Sequence, residues 1–290
     1  MAVFEVMRIH QWLKNLLLLV PLLTAKLFLD FDNVQRIVIG FIGFSLLCSS
    51  NYIWNDLMDL EKDKLVLYKS KKPLASGRIT KNFAIIESAI LLLIGISLCW
   101  YCSKNFALIA CSYLVLGLVY TRYLKRIEHV NVVTLVLFYE IRVFAGGVLT
   151  DISISFWLAI FSFSIFSSLA FLKQYSKVQL DKVDNRNNYL LQKSEDERSF
   201  LILFGVSFAV VSLLTFGLYL NSSEVQLIYN QPKILWILIP MIQFLLLRIW
   251  KASIDGKMHY DPIVFILKDL TSSMCLLLML MTVILVGQLK

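Results

Sequence analysis

The sequence predicts an all-α fold: a polytopic membrane protein of about nine transmembrane helices. Three observations carry that reading. Of 290 residues, 58% are hydrophobic and 17% charged, with a mean hydropathy of +0.73, more apolar surface than a soluble domain of this size can bury. The apolar residues fall in nine stretches that each approach the roughly 20 residues needed to cross a bilayer. They cover about 12–29, 34–54, 83–103, 105–121, 130–149, 153–173, 200–220, 232–250 and 264–287. The basic residues, finally, collect in alternate connections. No period-2 barrel pattern runs through the stretches, so inside lipid they must be helices, which pair all their own backbone groups.

With the N-terminus inside, the inner segments are 1–14, 55–81, 122–129, 173–199 and 248–268, and they hold 22 of the 28 Lys and Arg residues. That asymmetry predicts N-in, C-out in the inner (plasma) membrane, and assigns the net charge of +8 to cytoplasmic loops, with no nucleic-acid partner. Almost nothing lies outside apolar segments and short loops, so residues 1–290 are expected to form a single transmembrane domain. No removable signal peptide is expected, because no small-residue cleavage site follows the first apolar run. Cys48, Cys99, Cys102, Cys111 and Cys275 all lie in apolar segments and read as small buried hydrophobes.

The chain opens with Arg8-Ile-His-Gln-Trp-Leu-Lys-Asn15. Trp12 and Lys14 suit an interfacial anchor, Trp at headgroup level and Lys snorkelling; Asn15, at the edge of Leu-rich hydrocarbon, suits an anchor less well and is an equal candidate for a site. The second span ends in Asn55-Asp-Leu-Met-Asp-Leu-Glu-Lys-Asp63, four acids in eight residues. Asn51, Asn55, Asp59 and Asp63 are four apart and share one face of a helix, with Asp56 near it. Such acids repel one another unless a cation sits between them; Mg²⁺ takes oxygen ligands and bridges to substrate phosphates. Lys62, Lys64, Lys69, Lys71, Lys72, Arg78 and Lys81 follow at once. An acid cluster followed by a basic one predicts a metal–phosphate site at the membrane surface; the bland alternative is a solvated basic loop.

The connection after the fourth span, with Lys125 and His129, reads as a basic loop. In the fifth span Glu140 and Arg142 interrupt an apolar run. Such ions cost roughly 2.5–3.5 kcal/mol each on insertion scales and usually mark a site, unless they neutralise each other. Gly146-Gly147 permits close helix packing. The sixth span runs out through Lys173 and Lys177 to Asp181 and Asp184. Asp261-Pro262 reads as a capped helix start, and Asp269 as a site residue or an ion-pair partner.

On these residues the chain resembles the UbiA superfamily of intramembrane prenyltransferases, closest to its decaprenyl-phosphate 5-phosphoribosyltransferase-like branch. The likeness rests on the 8–15 opening, on Asn55-Asp56-x-x-Asp59-x-x-x-Asp63, and on Lys69 followed by Lys-Pro-Leu-Ala-Ser-Gly at 72–77. Lys125, Arg142, Lys173 and Asp261-Pro262 with Asp269 add to it. The resemblance implies nine helices around a central cavity, with a first Asp-rich motif that holds Mg²⁺ and a diphosphate. Carried onto this chain, it implies that Asp56, Asp59 and Asp63 are catalytic and hold the metal. Lys14, Asn15, Asn51, Asn55, Lys69, Lys72, Lys125, Asn131, Arg142, Lys173 and Tyr175 are implied to bind substrate. The chain departs from the branch pattern at Lys64, Val66, Leu67 and Lys72, where Arg, His, Pro and Arg are usual, at Asn131, where Asp is, and at Lys177, where a carboxylate is.

Three functions follow as expectations. The first is Mg²⁺-dependent transfer of 5-phosphoribose from phosphoribosyl diphosphate to a polyprenyl phosphate at the cytoplasmic face, in cell-envelope synthesis. The second is prenyl transfer from a polyprenyl diphosphate to an aromatic or other small acceptor, with Tyr52, Trp54, Phe138 and Tyr139 candidates to stabilise an allylic cation. The third is a non-catalytic lipid-binding membrane protein. Retention of three Asp argues against the third, since a lipid tail alone needs no triple carboxylate. The partners expected are these lipids, phosphoribosyl diphosphate and the membrane itself; the oligomeric state is left open, a homo-oligomer included.

Overall fold

A computed structural model describes residues 2–28, 30–65, 69–184, 188–258 and 261–288. The departures at 66 and 67 lie outside the described residues, as do the side chains of 128, 129, 180–184, 188–194 and 224, among them His129, Asp181 and Asp184. Among the described residues all regular structure is helical. The α-helices are α1 (Ala2–Val6), α2 (Val20–Thr24), α3 (Phe31–Met58), α4 (Leu60–Leu65), α5 (Lys81–Cys102), α6 (Lys104–Arg122), α7 (Glu128–Leu149) and α8 (Phe156–Asp184). They continue with α9 (Asn188–Leu220), α10 (Ser223–Ile228), α11 (Leu238–Ile254), α12 (Pro262–Lys268) and α13 (Leu270–Gln288). Short 3₁₀ helices cover Ile9–Leu19, Leu124–Arg126 and Pro232–Ile237.

Eight helical segments are long and apolar enough to cross a membrane, and they match eight of the nine expected stretches. The stretch expected at 12–29 is built differently. It is a 3₁₀ helix over Ile9–Leu19, then α2 with Pro21 in its first turn, then Lys26 at φ +58°. Proline lacks an N–H and opens a helix more readily than it continues one. The stretch expected at 264–287 is also divided. Asp269 ends α12 in an extended conformation, and its carboxylate accepts Ser272 N (2.9 Å) and Ser272 Oγ (2.6 Å) at the start of α13. Asp261 caps α12 through Ile263 N (3.2 Å) with Pro262 at the first position, as expected.

The chain forms two compact units, Met1–Thr134 with Ile141–Ser153, and Leu135–Glu140 with Ile154–Lys290. In the first, Phe44 packs on Phe106 and Tyr113, with ring centroids 6.2 and 4.9 Å apart. Gly146 lets α7 touch the 3₁₀ helix, since a Cβ there would strike the carbonyl oxygen of Leu18. In the second, Phe171 stacks on Phe204 and Phe208 (6.0 and 5.9 Å), and Gly205 leaves room for the Trp250 ring. The spans differ in burial: 67% of the apolar window of α7 is buried and 56% of that of α3, but 11% of that of α13. The two most buried spans carry Asn51, Asn55, Glu140 and Arg142, whereas the most exposed carries no charged residue.

Candidate active site

In the first unit α3 ends at Asp59 (φ −93°, ψ 2°), and α4 resumes one residue later. The small offset divides the polar residues between two partners. Asn51, Asn55 and Asp59, four apart on α3, meet Gly117, Thr121 and Lys125, also four apart. Asn51 fills the space left by Gly117; Thr121 Oγ1 donates to Asn55 Oδ1 (3.1 Å); Lys125 Nζ donates to Asp59 Oδ2 (2.6 Å). Asp56 and Asp63, seven apart and 4% and 3% exposed, turn to a different set of cations. Lys72 Nζ lies 2.8 Å from Asp56 Oδ1 and 2.6 Å from Asp63 Oδ2, one ammonium shared by two carboxylates. Arg8 Nη2 reaches the same Asp56 oxygen at 2.6 Å, its guanidinium over the Tyr52 ring, and Lys69 Nζ lies 3.9 Å from Asp63. The face predicted for four residues therefore holds three of them in one row, and Asp63 joins Asp56 instead.

Local sequence explains how these cations arrive. The Lys-Pro-Leu-Ala-Ser-Gly segment folds back on itself, Ser76 N donating to Lys72 O (2.9 Å) and Gly77 to Leu74 O (3.3 Å), with Gly77 at φ +75°, where glycine is favoured. Arg78 closes the rim with a two-pronged pair to Glu5 (2.8 and 2.9 Å), which holds the Glu5 carboxyl below its usual range. Arg8 adopts φ +52°, rare for a residue with a side chain and a strain of the kind often found at functional positions.

The 3₁₀ helix turns Lys14 and Asn15 inward. Leu13 and Leu16 are exposed, whereas Lys14 (8%) and Asn15 (1%) are buried, the reverse of a snorkelling anchor. Trp12 Nε1 donates to Ser49 Oγ (2.9 Å), so this indole clamps the 3₁₀ helix to α3. Asn15 donates to Ser45 Oγ (2.9 Å) and accepts from Arg142 Nε (2.8 Å); Arg142 Nη2 donates to Tyr113 OH (2.6 Å), with its guanidinium over that ring. Glu140 Oε2 accepts from Ser162 Oγ (3.1 Å) within the second unit. Asn131 accepts from Tyr120 OH (2.9 Å). In the second unit Lys173 pairs with Asp261 (3.4 Å), and Tyr175 OH accepts from Gln179 (2.8 Å) and Arg198 (3.1 Å). Arg8, Tyr113 and Thr121 are partners that site selection from sequence omitted. Arg8 had a signal, as the first residue of the opening motif; Tyr113 and Thr121, in an apolar span, had none.

Among the described residues no three His, Cys, Asp or Glu side chains already converge as a metal cage. Asp56 and Asp63 nevertheless converge on a single cation, the Lys72 ammonium, and the nearby donors are carboxylate and amide oxygens. That donor set suits Mg²⁺ rather than a softer metal.

Buried carboxylates that share counter-ions at the end of an apolar helix, in a chain of membrane-length helices, define a class: a membrane-embedded protein with a charge-lined polar site. The chain belongs to the UbiA prenyltransferase family, which it matches over residues 18–255, and is a multi-pass membrane protein. It is similar to the Sinorhizobium fredii protein y4nM, 33% identical over 92% of this chain but only 52% of that protein, so the chain spans about half of that relative's length. Decaprenyl-phosphate phosphoribosyltransferase from Mycolicibacterium smegmatis is 26% identical over 92% of this chain and 86% of its own length. The solved structure of a UbiA homolog from Archaeoglobus fulgidus, bound to DMAPP and Mg²⁺, superposes with a TM-score of 0.69 at 18% identity, covering 100% of each chain.

Proposed function

We propose that the chain transfers 5-phosphoribose from phosphoribosyl diphosphate to a polyprenyl phosphate, with Mg²⁺, at the cytoplasmic face of the inner membrane. The observation that carries this reading is the charge balance of the cluster. Arg8, Lys69, Lys72 and Lys125 oppose Asp56, Asp59 and Asp63, so cations outnumber carboxylates before any metal arrives. A phosphate-rich donor and an anionic acceptor suit that surplus; the mycobacterial relative's name and the Lys and Arg pattern of the connections support donor and face. Asp56 and Asp63, with Asp59, would hold Mg²⁺, which when bound neutralises charge on the departing diphosphate. Lys72, displaced from the carboxylates, binds donor phosphate, and Lys69 lies close enough to assist. Asn55, fixed by Thr121, orients the donor. The ribose C1–O bond to diphosphate breaks with the electron pair leaving on diphosphate, and a lipid phosphate oxygen bonds to C1. That oxygen is anionic at neutral pH, so no side chain has to remove a proton.

Labelled phosphoribosyl diphosphate supplied with polyprenyl phosphate and Mg²⁺ to the purified protein tests this. Label entering the lipid phase with wild type and not with Asp59→Ala supports it. Prenyl transfer to an aromatic acceptor is the second reading, favoured by the DMAPP bound to the Archaeoglobus relative. Label moving only from a prenyl diphosphate would replace the first reading with the second.

A further inference from the structure

The second unit contains a pocket of about 500 Å³ that includes none of Asp56, Asp59 and Asp63. It lies where α11 ends and α13 begins. Both are membrane-crossing segments, and the chain from 255 to 269 joins them, so the pocket is at one membrane face. Phe244, Leu247, Arg248 and Lys251, at i, i+3, i+4 and i+7, share one stripe of α11, and they line the pocket together with Asp255, just past the helix end. The stripe changes character along its length. Phe244 and Leu247, in the apolar part, are 45% and 64% exposed; Arg248, Lys251 and Asp255 follow toward the helix end. Gly256 then turns the chain at φ +69°, and Lys257 N donates back to Ala252 O (2.9 Å), returning Lys257 to the pocket. Phe265 of α12 and Asp269 complete the lining.

Three cations face two carboxylates there. Asp269 takes Arg248 Nε and Nη2 (2.7 and 2.8 Å), which orients the guanidinium and leaves its other N–H groups. Asp255 pairs with Lys251 (2.8 Å). One positive charge remains over an apolar strip that points outward.

We propose that this pocket holds an anionic glycerophospholipid of the surrounding bilayer, its phosphate against Lys251, Lys257 and Arg248 and an acyl chain along Phe244 and Leu247. The competing account is that these lysines only offset the carbonyl end of α11.

Native mass spectrometry of the detergent-purified protein separates the two. Phosphatidylglycerol and phosphatidylcholine of identical chains are offered in equal amounts to wild type, to K251Q/K257Q, and to K104Q/K233Q, which removes two exposed lysines from other connections. Wild type and K104Q/K233Q should retain phosphatidylglycerol at least about fivefold over phosphatidylcholine, and K251Q/K257Q should lose that preference while its melting temperature in detergent shows it folded. Equal retention of both lipids by wild type, or an unchanged preference in K251Q/K257Q, overturns the proposal. Displacement of phosphatidylglycerol by millimolar glycerol 3-phosphate overturns the choice of a lipid over a free phosphate ester. A lowered melting temperature in K251Q/K257Q with lipid preference intact returns the lysines to the helix-end role.

Discussion

Both units set acids beside bases, yet they do so differently. In the second, Asp269 has its own arginine and caps α13, and Asp261 has its own lysine and caps α12. Each of these two carboxylates is paired with a cation and seated at a helix start. In the first, Asp56 and Asp63 share one ammonium, and Asp56 also takes Arg8. A one-to-one, capped pair ends a helix and has no reason to change partners. A shared cation leaves carboxylate lone pairs that a second cation can use. The number of acids thus says little about chemistry; how they divide their counter-ions says more.

The sharpest way to break this contrast is to remove one acid from each unit. Asp63→Ala should reduce the proposed phosphoribosyl transfer by about a hundredfold or more, the scale of losing one preorganised charge contact at a reacting group. Asp269→Ala should leave the rate unchanged and cost about 1 kcal/mol of stability through the lost cap, seen as a melting shift of about 2–4 °C. Equal rate losses in the two variants would erase the distinction.

A smaller effect sharpens it. Gly146 and Gly205 each admit a close neighbour, the Leu18 carbonyl in the first unit and the Trp250 ring in the second. Alanine at either should overpack by about 1–3 kcal/mol. Gly146→Ala presses on the 3₁₀ helix that begins just after Arg8, so transfer should fall along with stability. Gly205→Ala should lower stability alone. Thermal melting and initial rates on the two proteins check this.

The smallest effect is with pH. Arg248 foremost, then Ser272, hold the Asp269 carboxyl below the ordinary value of 3.8. A depressed carboxyl contributes its stability in full above that value and loses it as pH falls further. Melting temperatures of wild type and Asp269→Asn should therefore differ by a constant amount from pH 7 to about 4 and converge below pH 3.8. A gap that widens on acidification would contradict the pairing.

Span positions were legible because hydrocarbon thickness demands long apolar runs, and eight stretches match within a few residues at most ends. Asp261-Pro262 was legible because capping is local chemistry. The 3₁₀ geometry of 9–19 was not, since Leu-rich sequence suits either helix and the choice depends on Trp12, Asn15 and Gly146 meeting distant neighbours. The division of α12 from α13 was hidden for a similar reason: Asp269 finds Arg248 twenty-one residues away. At the site, the acids and lysines stood out by type, but the offset at Asp59 that sends Asp63 toward Lys72, and Asp59 toward Lys125, is a tertiary outcome.

Lys72 is a counter-ion that cannot diffuse away. Free ions around a charged cluster thin out as salt is diluted and crowd in as it rises. An ammonium on a four-carbon tether instead keeps a constant high local concentration beside Asp56 and Asp63 at any ionic strength. The two carboxylates are therefore held together without help from solution, and any divalent ion bound there must outcompete a fixed rival. Once outcompeted, that rival remains within a side chain's length, a positive charge released beside the very place where an anion would next arrive.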